Sequence, residues 1–314
     1  MLKILDKGQD MLDQKIITFL TVCETMNYTK AAEQLHITQP AVSQHIRALE
    51  EMYGCRLFIC RGRKPVLTDA GILLRDSASA MRSDEELLRR RMTEDGRREI
   101  PLHFGVTMTI GEYVIAVPLA AYLKKHPDTD VRMSIANTSE LIGKMDSGEL
   151  QFALVEGYFD RDRFASMTFE SVPFVPVCAA EHRLLCGKNV PVLKDLLGER
   201  LLLREPGSGT RDILEKQLSA AGLSLHDFSK TVEIGGMHAI LQMLEADAGI
   251  SFLYLSAAEI PIREGKLREI PLADLKISHD FSFVWKKDSI YGQEYRKVCR
   301  ELMTGINGGE SEPK

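Results

Sequence analysis

Cysteine is sparse in this 314-residue chain. The six residues, at 23, 55, 60, 178, 186 and 299, form no CxxC pair. That excludes a disulfide framework and a clustered metal centre as organising devices, and a reducing, cytoplasmic setting is expected. The eight histidines show no metal-ligand spacing, so no metal or cofactor is expected. No stretch approaches 18 consecutive apolar residues, which excludes a membrane-spanning helix. The opening MLKILDKGQDM has too short an apolar run for a secretory signal and reads as a short extension, with Met11 as an alternative start. An overall basic excess is also missing: the formal net charge is -5, which argues against a histone-like coat but not against a small DNA-binding module on an acidic partner domain. Two catalytic signatures are absent as well. GxSxG does not occur, and the loop PGSGT lacks the terminal GK of a nucleotide-binding P-loop.

What the chain does hold is a compact pattern between Thr29 and Arg47, TKAAEQLHITQPAVSQHIR. Apolar residues at 12, 16, 19, 20 and 23 predict a helix from Leu12 to Met26. Asn27 is an N-cap for a second helix through Leu35, and Thr38 caps a third that carries Pro40 in its first turn and ends at Gly54. Val42, Ile46 and Leu49 form the buried stripe of that third helix. Thr29, Thr38, Gln39, Pro40, Ala41, Ser43, Gln44 and Arg47 then remain at its exposed side and approach. Gln pairs with adenine, a small apolar side chain meets a thymine methyl, and Ser and Arg reach phosphate or guanine. The next segment, CRLFICRGRKPVLT, predicts two short strands around a basic turn. Arg61, Arg63 and Lys64 there would contact the phosphate backbone without reading sequence. From Thr68 to about Thr93 a long helix carries Ala70, Leu73, Leu74, Ser77, Met81, Leu87 and Leu88 as a stripe suited to a dimer seam.

Beyond residue 100 the pattern alternates strand and helix, calling for an α/β domain with a parallel sheet. LHFGVT, DVRMSIA and QFALVEG read as strands, with helices at Gly111–Lys125 and from a cap at Thr138. A second cycle follows TFESVPFVPVCA and holds RLLLRE, TVEIG and GISFLY; DFSFVWKK and a helix from Tyr291 to Met303 close the chain, and the tail INGGESEPK is expected to be disordered. Ligands in such sheets bind beyond the carboxyl ends of strands. Thr107, Met108, Thr109, Asn137, Thr138 and Glu156 occupy such ends in one lobe. In the other, Ser208, Gly209 and Thr210 open a helix in a glycine-bearing loop suited to an anion. Hydroxyls at helix starts are equally ordinary caps, and that alternative stays open.

AAEQLHITQPAVSQHIRALE, GCRLF and LTDAG resemble the winged helix–turn–helix of LysR-type transcriptional regulators, and IGEY, NTSELI, GELQFALVEG and REPGSGTR resemble its branch of sulfur and carbon assimilation regulators. The resemblance implies a winged helix–turn–helix at 12–67 and a linker and dimerisation helix at 68–95. It implies a periplasmic-binding-protein-like effector domain at 100–304, with lobe I at about 100–170 and 275–304 and lobe II at about 171–274. It implies a homodimer and homotetramer on double-stranded promoter DNA, with RNA polymerase admitted as a further partner, and a small, often anionic effector. By position, the effector loops fall on Thr107 to Ile110, Asn137, Thr138 and Ser208 to Thr210, with Gly235, Gly236 and Met237 lining the same opening. Met108 stands where a small hydroxyl residue is frequent. The rival classes are an enzyme with a cleft active site and a plain metabolite-binding protein.

Overall fold

The computed structural model describes residues 11–61, 64–93, 101–183 and 190–304, with only the backbone at Cys60, Arg61, Lys64, Arg90, Arg91 and Thr93. The expectations placed on Arg63, Cys186, the extension before Met11 and the tail beyond Thr304 lie outside the described residues, as do the side chains of Arg61 and Lys64. Two compact units result, one on residues up to 96 with 146–149 and 286–292, the other on residues 97–145, 150–285 and beyond 292.

In the first unit, α1 (Gln14–Thr25), α2 (Tyr28–Leu35) and α3 (Gln39–Tyr53) pack around Phe19, Leu20, Val22, Ala31, Ala32, Val42, Ile46 and Leu49. Each start is capped by a side chain: Asp13 accepts from Lys15 N, Asn27 from Thr29 N and Lys30 N, and Thr38 from Ala41 N. Alanines 31 and 32 leave α2 no bulk, so its neighbours approach closely. Strands β1 (Phe58–Arg61) and β2 (Lys64–Leu67) pair antiparallel, Phe58 opposite Leu67. Thr68 then opens α4 (Asp69–Thr93), its hydroxyl accepting from Gly71 N at 3.0 Å and donating to the Arg56 carbonyl at 2.7 Å. Gly71 is required here, since a Cβ would stand 2.2 Å from the Leu57 carbonyl oxygen. Further along α4, Leu87 is buried whereas Leu73 and Met81, eight residues apart, are exposed.

The second unit begins with β3 (Leu102–Val106), α5 (Met108–Tyr113), α6 (Ala116–Lys125), β4 (Val131–Ile135), α7 (Thr138–Asp146) and β5 (Phe152–Val155). Crossover strand β6 (Phe164–Ala179) leads to β7 (Arg200–Leu203), α8 (Gly209–Ala220), β8 (Lys230–Glu233), α9 (Met237–Glu245), β9 (Ser251–Tyr254), α10 (Leu255–Arg263) and β10 (Leu267–Glu269). Strand β11 (Ile277–Lys286) returns beside β6, and α11 (Gly292–Thr304) closes the unit. The expected parallel sheet is in fact mixed. β3 pairs parallel with β4 and β5, and β7 with β8, but β11 runs antiparallel to β5 and β6 antiparallel to β9 and β10. The two long crossovers, which must enter and leave each lobe, supply the reversed strands. Phe152 lies between Phe104, 5.2 Å away, and Phe283, 6.0 Å away, in one lobe, while Leu202, Met237, Ile240, Leu244 and Leu253 fill the other.

The single helix expected at Gly111–Lys125 is two. Pro118 has no N–H to give the Val114 carbonyl, so the chain breaks there and the proline sits in the first turn of α6.

Candidate nucleic-acid interface and ligand cleft

On the first unit, Thr29, Thr38, Gln39, Pro40, Gln44 and Arg47 are exposed, and Ala41 and Ser43 are half-buried. Their clustering follows from the stripe of Val42, Ile46 and Leu49, which turns the opposite side of α3 outward. The Gln39 amide donates to the Ser43 hydroxyl at 2.9 Å, so the two polar residues at the amino end of α3 are held together. Two residues not foreseen in the sequence fix this helix. His45 Nδ1 lies 2.8 Å from the Thr18 hydroxyl, tying α3 to α1. Glu50, half-buried, accepts from Leu57 N at 2.9 Å and from Arg56 Nη1 at 2.8 Å, and thereby anchors the start of the β1–β2 hairpin to α3.

In the second unit, Thr107, Glu156 and Tyr254 stand at the ends of β3, β5 and β9 of the main sheet, and Arg204 follows β7 of the separate β7–β8 pair. Glu156 is the centre of this group. The carboxyl is buried, and Oε1 accepts from Thr109 of α5 at 3.3 Å and from Thr210 of α8 at 2.8 Å. Its backbone carbonyl accepts from the Thr138 hydroxyl at 3.1 Å. Burial pushes this carboxyl up from its ordinary value, and the hydroxyls of Thr210 and Thr109, then the Arg204 guanidinium, oppose the shift. Tyr254, buried beside Glu156, has its phenol pushed well up by the same loss of water.

The hydroxyls at the helix starts are not caps. Thr107 and Ser208 occupy the N-cap positions of α5 and α8, yet neither side chain bonds to its own helix. Both hydroxyl oxygens are buried and without partners. Thr138, expected as a cap, is instead the first residue of α7; Asn137 caps it, accepting from Glu140 N at 2.9 Å. Arg204, 2% exposed, grips Glu205 through Nε and Nη2 at 2.8 Å each and reaches the Met108 sulfur at 3.2 Å, leaving Nη1 buried and unpartnered. Arg211 holds this loop by donating to the Arg204 carbonyl at 3.2 Å. Ile110 is fully buried, Met237 packs into the apolar core of its lobe, and Gly236 is the N-cap of α9. Sequence reasoning missed Arg204 and Tyr254; their position at strand ends was the available signal.

A three-helix unit with a hairpin wing, followed by a two-lobed α/β unit with buried, unpartnered polar groups at its strand ends, defines a ligand-responsive DNA-binding regulator. Comparison with known proteins places it more closely. Residues 14–72 match the bacterial regulatory helix-turn-helix protein family, lysR family, and residues 96–302 match the LysR substrate binding domain family. The chain belongs to the LysR family. It is 31% identical over 265 residues to the HTH-type transcriptional regulator CfxR of Cupriavidus necator, covering 82% of this chain and 80% of that one. To CbbR of Rhodospirillum rubrum it is 28% identical over 267 residues, 85% and 87% of the two chains. Among solved structures, a Corynebacterium glutamicum OxyR C206 mutant superimposes with a TM-score of 0.58 at 20% identity, over 96% of this chain and 94% of that one. The regulatory domain of Synechocystis CcmR in complex with 2-PG gives 0.59 at 20% identity, over 67% and 98%. The protein is thus a DNA-binding transcriptional regulator with an effector-binding domain, not an enzyme. Among the described residues, no helix is long and apolar enough to cross a membrane.

Proposed function

We propose that this regulator reads promoter DNA through the amino end of α3 and is controlled by a small anionic metabolite held at the strand ends of its α/β unit. One observation carries the second half of this reading. Thr107 and Ser208 present buried hydroxyls that satisfy nothing in the protein, and buried polar groups of that kind are few in native proteins and call for a partner. Arg204 Nη1 adds a positive donor to the set. The similarly folded CcmR regulatory domain, solved in complex with 2-PG, supports an anion as the effector.

The exposed Leu73 and Met81 of α4 supply the apolar face of a homodimer, and pairing of dimers gives the tetramer on DNA. A symmetric pair reads two half-sites, which one module of this size cannot. The ligand acts by binding one quaternary arrangement more tightly than the other, and RNA polymerase is the partner that senses the change. Thermal-shift titration with short organic acids, sugar phosphates, sulfate and 2-PG tests the site. Stabilisation that is lost in Ser208→Ala supports it; stabilisation untouched by both Ser208→Ala and Thr107→Val contradicts it.

A further inference from the structure

Glu156 stands where a simple anion site would have no use for it. Its Oε1 is occupied by two hydroxyls from different lobes, Thr109 and Thr210, whose hydrogens are thereby committed to the protein. Its Oε2 is buried and accepts from nothing. Tyr254, the buried phenol beside it, makes no hydrogen bond to it. The neighbouring unpartnered groups, Thr107 Oγ1, Ser208 Oγ, Tyr254 Oη and Arg204 Nη1, can all donate, and the three hydroxyls can accept as well. The site therefore offers four unused donors beside one unused carboxyl oxygen.

Two physical consequences follow. A ligand consisting only of an oxyanion would satisfy the donors but, wherever Glu156 is ionised, bring like charge against it with water excluded, and would leave Oε2 unpaired. A ligand consisting only of a cation or a neutral donor would satisfy Glu156 and leave Arg204 Nη1, Thr107 and Ser208 as they are. We infer that the effector is a small acid that also bears a hydrogen-bond donor, an amino or hydroxyl group, and that Oε2 of Glu156 receives this donor. This deepens the reading of the cleft as an effector site and rests on it. Glu156 is then the residue that selects among acids of similar size, because a buried group built to hydrogen-bond a ligand rejects the analogue that lacks the matching atom.

The test uses the full chain and acids matched in length: propionate with lactate and alanine, succinate with malate and aspartate, and 2-PG beside them. Binding is read by titration calorimetry on the wild type and on Glu156→Gln, which keeps the shape and an oxygen for Thr210 but removes the charged acceptor. In the wild type, at least one hydroxy or amino acid binds at least about tenfold more tightly than its parent acid, as one hydrogen bond to a charged group provides. In the variant that preference falls below about threefold. Parent acids that bind as tightly as their donor-bearing partners in the wild type overturn the inference, and that comparison decides it even if the variant fails to fold. A preference that persists in Glu156→Gln overturns it too, while leaving the effector site standing. No binding of any acid to either protein overturns the anion-site reading beneath it.

Discussion

A Cβ placed on Gly157 would stand 2.7 Å from the Cα of Gly209, so the end of β5 and the start of α8 meet through bare backbone. The converse contact is tighter: a Cβ on Gly209 would lie 2.4 Å from the Glu156 carbonyl oxygen. This approach is what sets Thr210 within 2.8 Å of the Glu156 carboxyl. Gly209→Ala is therefore expected to force the two elements apart and to destabilise the α/β unit by about 1–3 kcal/mol, as other small-to-large changes in packed sites do. A urea unfolding curve checks this, and an unchanged midpoint would show that the contact yields freely.

Hydroxyls that serve the protein and hydroxyls that serve a ligand respond differently to removal. Thr107→Val and Ser208→Ala delete buried groups that have no partner, so stability should change by less than about 1 kcal/mol or rise. Effector affinity should nonetheless fall about tenfold or more. Thr210→Val removes a donor from Glu156 and should cost about 1–2 kcal/mol of stability. Parallel unfolding and ligand titration separate the two classes, and equal stability losses in all three would contradict the assignment.

The Glu156 carboxyl also gives the ligand-free protein a pH signature. Because burial raises its value in the folded state, the native form binds more protons than the unfolded one above the ordinary carboxyl range. The stability it contributes is fully present below that range and is lost as pH rises from it toward the elevated folded value. Glu156→Gln should flatten this part of the stability–pH curve. Thermal melts of both proteins across mildly acidic pH report it; identical curves would place the titration elsewhere.

Glu50 links α3 to the wing through a carboxylate, in addition to the apolar core that Leu49 shares with Leu57 and Phe58. The exposed Arg56 partner adds little, since surface pairs are weak, but Leu57 is buried and its N–H donates to this carboxylate. Glu50→Ala should cost about 1–2 kcal/mol and loosen the hairpin. DNA affinity should then fall for specific and random duplexes alike, because the contacts proposed for the wing are to the backbone. A fluorescence anisotropy titration with both duplexes checks this; loss confined to the specific duplex would assign Glu50 to sequence reading.

Much of this architecture could be read from residue order. The stripes at Phe19 and Leu20 and at Val42, Ile46 and Leu49, with Asn27 and Thr38 as caps, specify the three helices because local periodicity and capping agree. Crossover strand β6 was not legible, since Pro173 and Pro176 mark a segment as edge or loop and only its pairing with β9, β10 and β11 makes it a strand. The site was half legible. Thr107, Thr109, Ser208 and Thr210 announce helix starts, but a sequence does not tell a capping hydroxyl from one left free. Here the first and third are unpartnered while the second and fourth hold Glu156, and that division depends on distances set by Gly157 and Gly209. Arg204 lay in plain view before the PGSGT loop and drew no attention, because a charged residue at a strand end is usually solvated.

The most direct measurement is the affinity of the full chain for the DNA upstream of its own gene against a random duplex, at moderate salt, for the wild type and Gln39→Ala. The wild type should prefer the specific duplex by about a thousandfold or more, and Gln39→Ala should lose about 1–3 kcal/mol of that discrimination while binding random DNA unchanged. Neutralising Arg63 or Lys64 should instead weaken both duplexes and lower the salt dependence by about one unit. Equal wild-type affinity for the two duplexes would contradict the account.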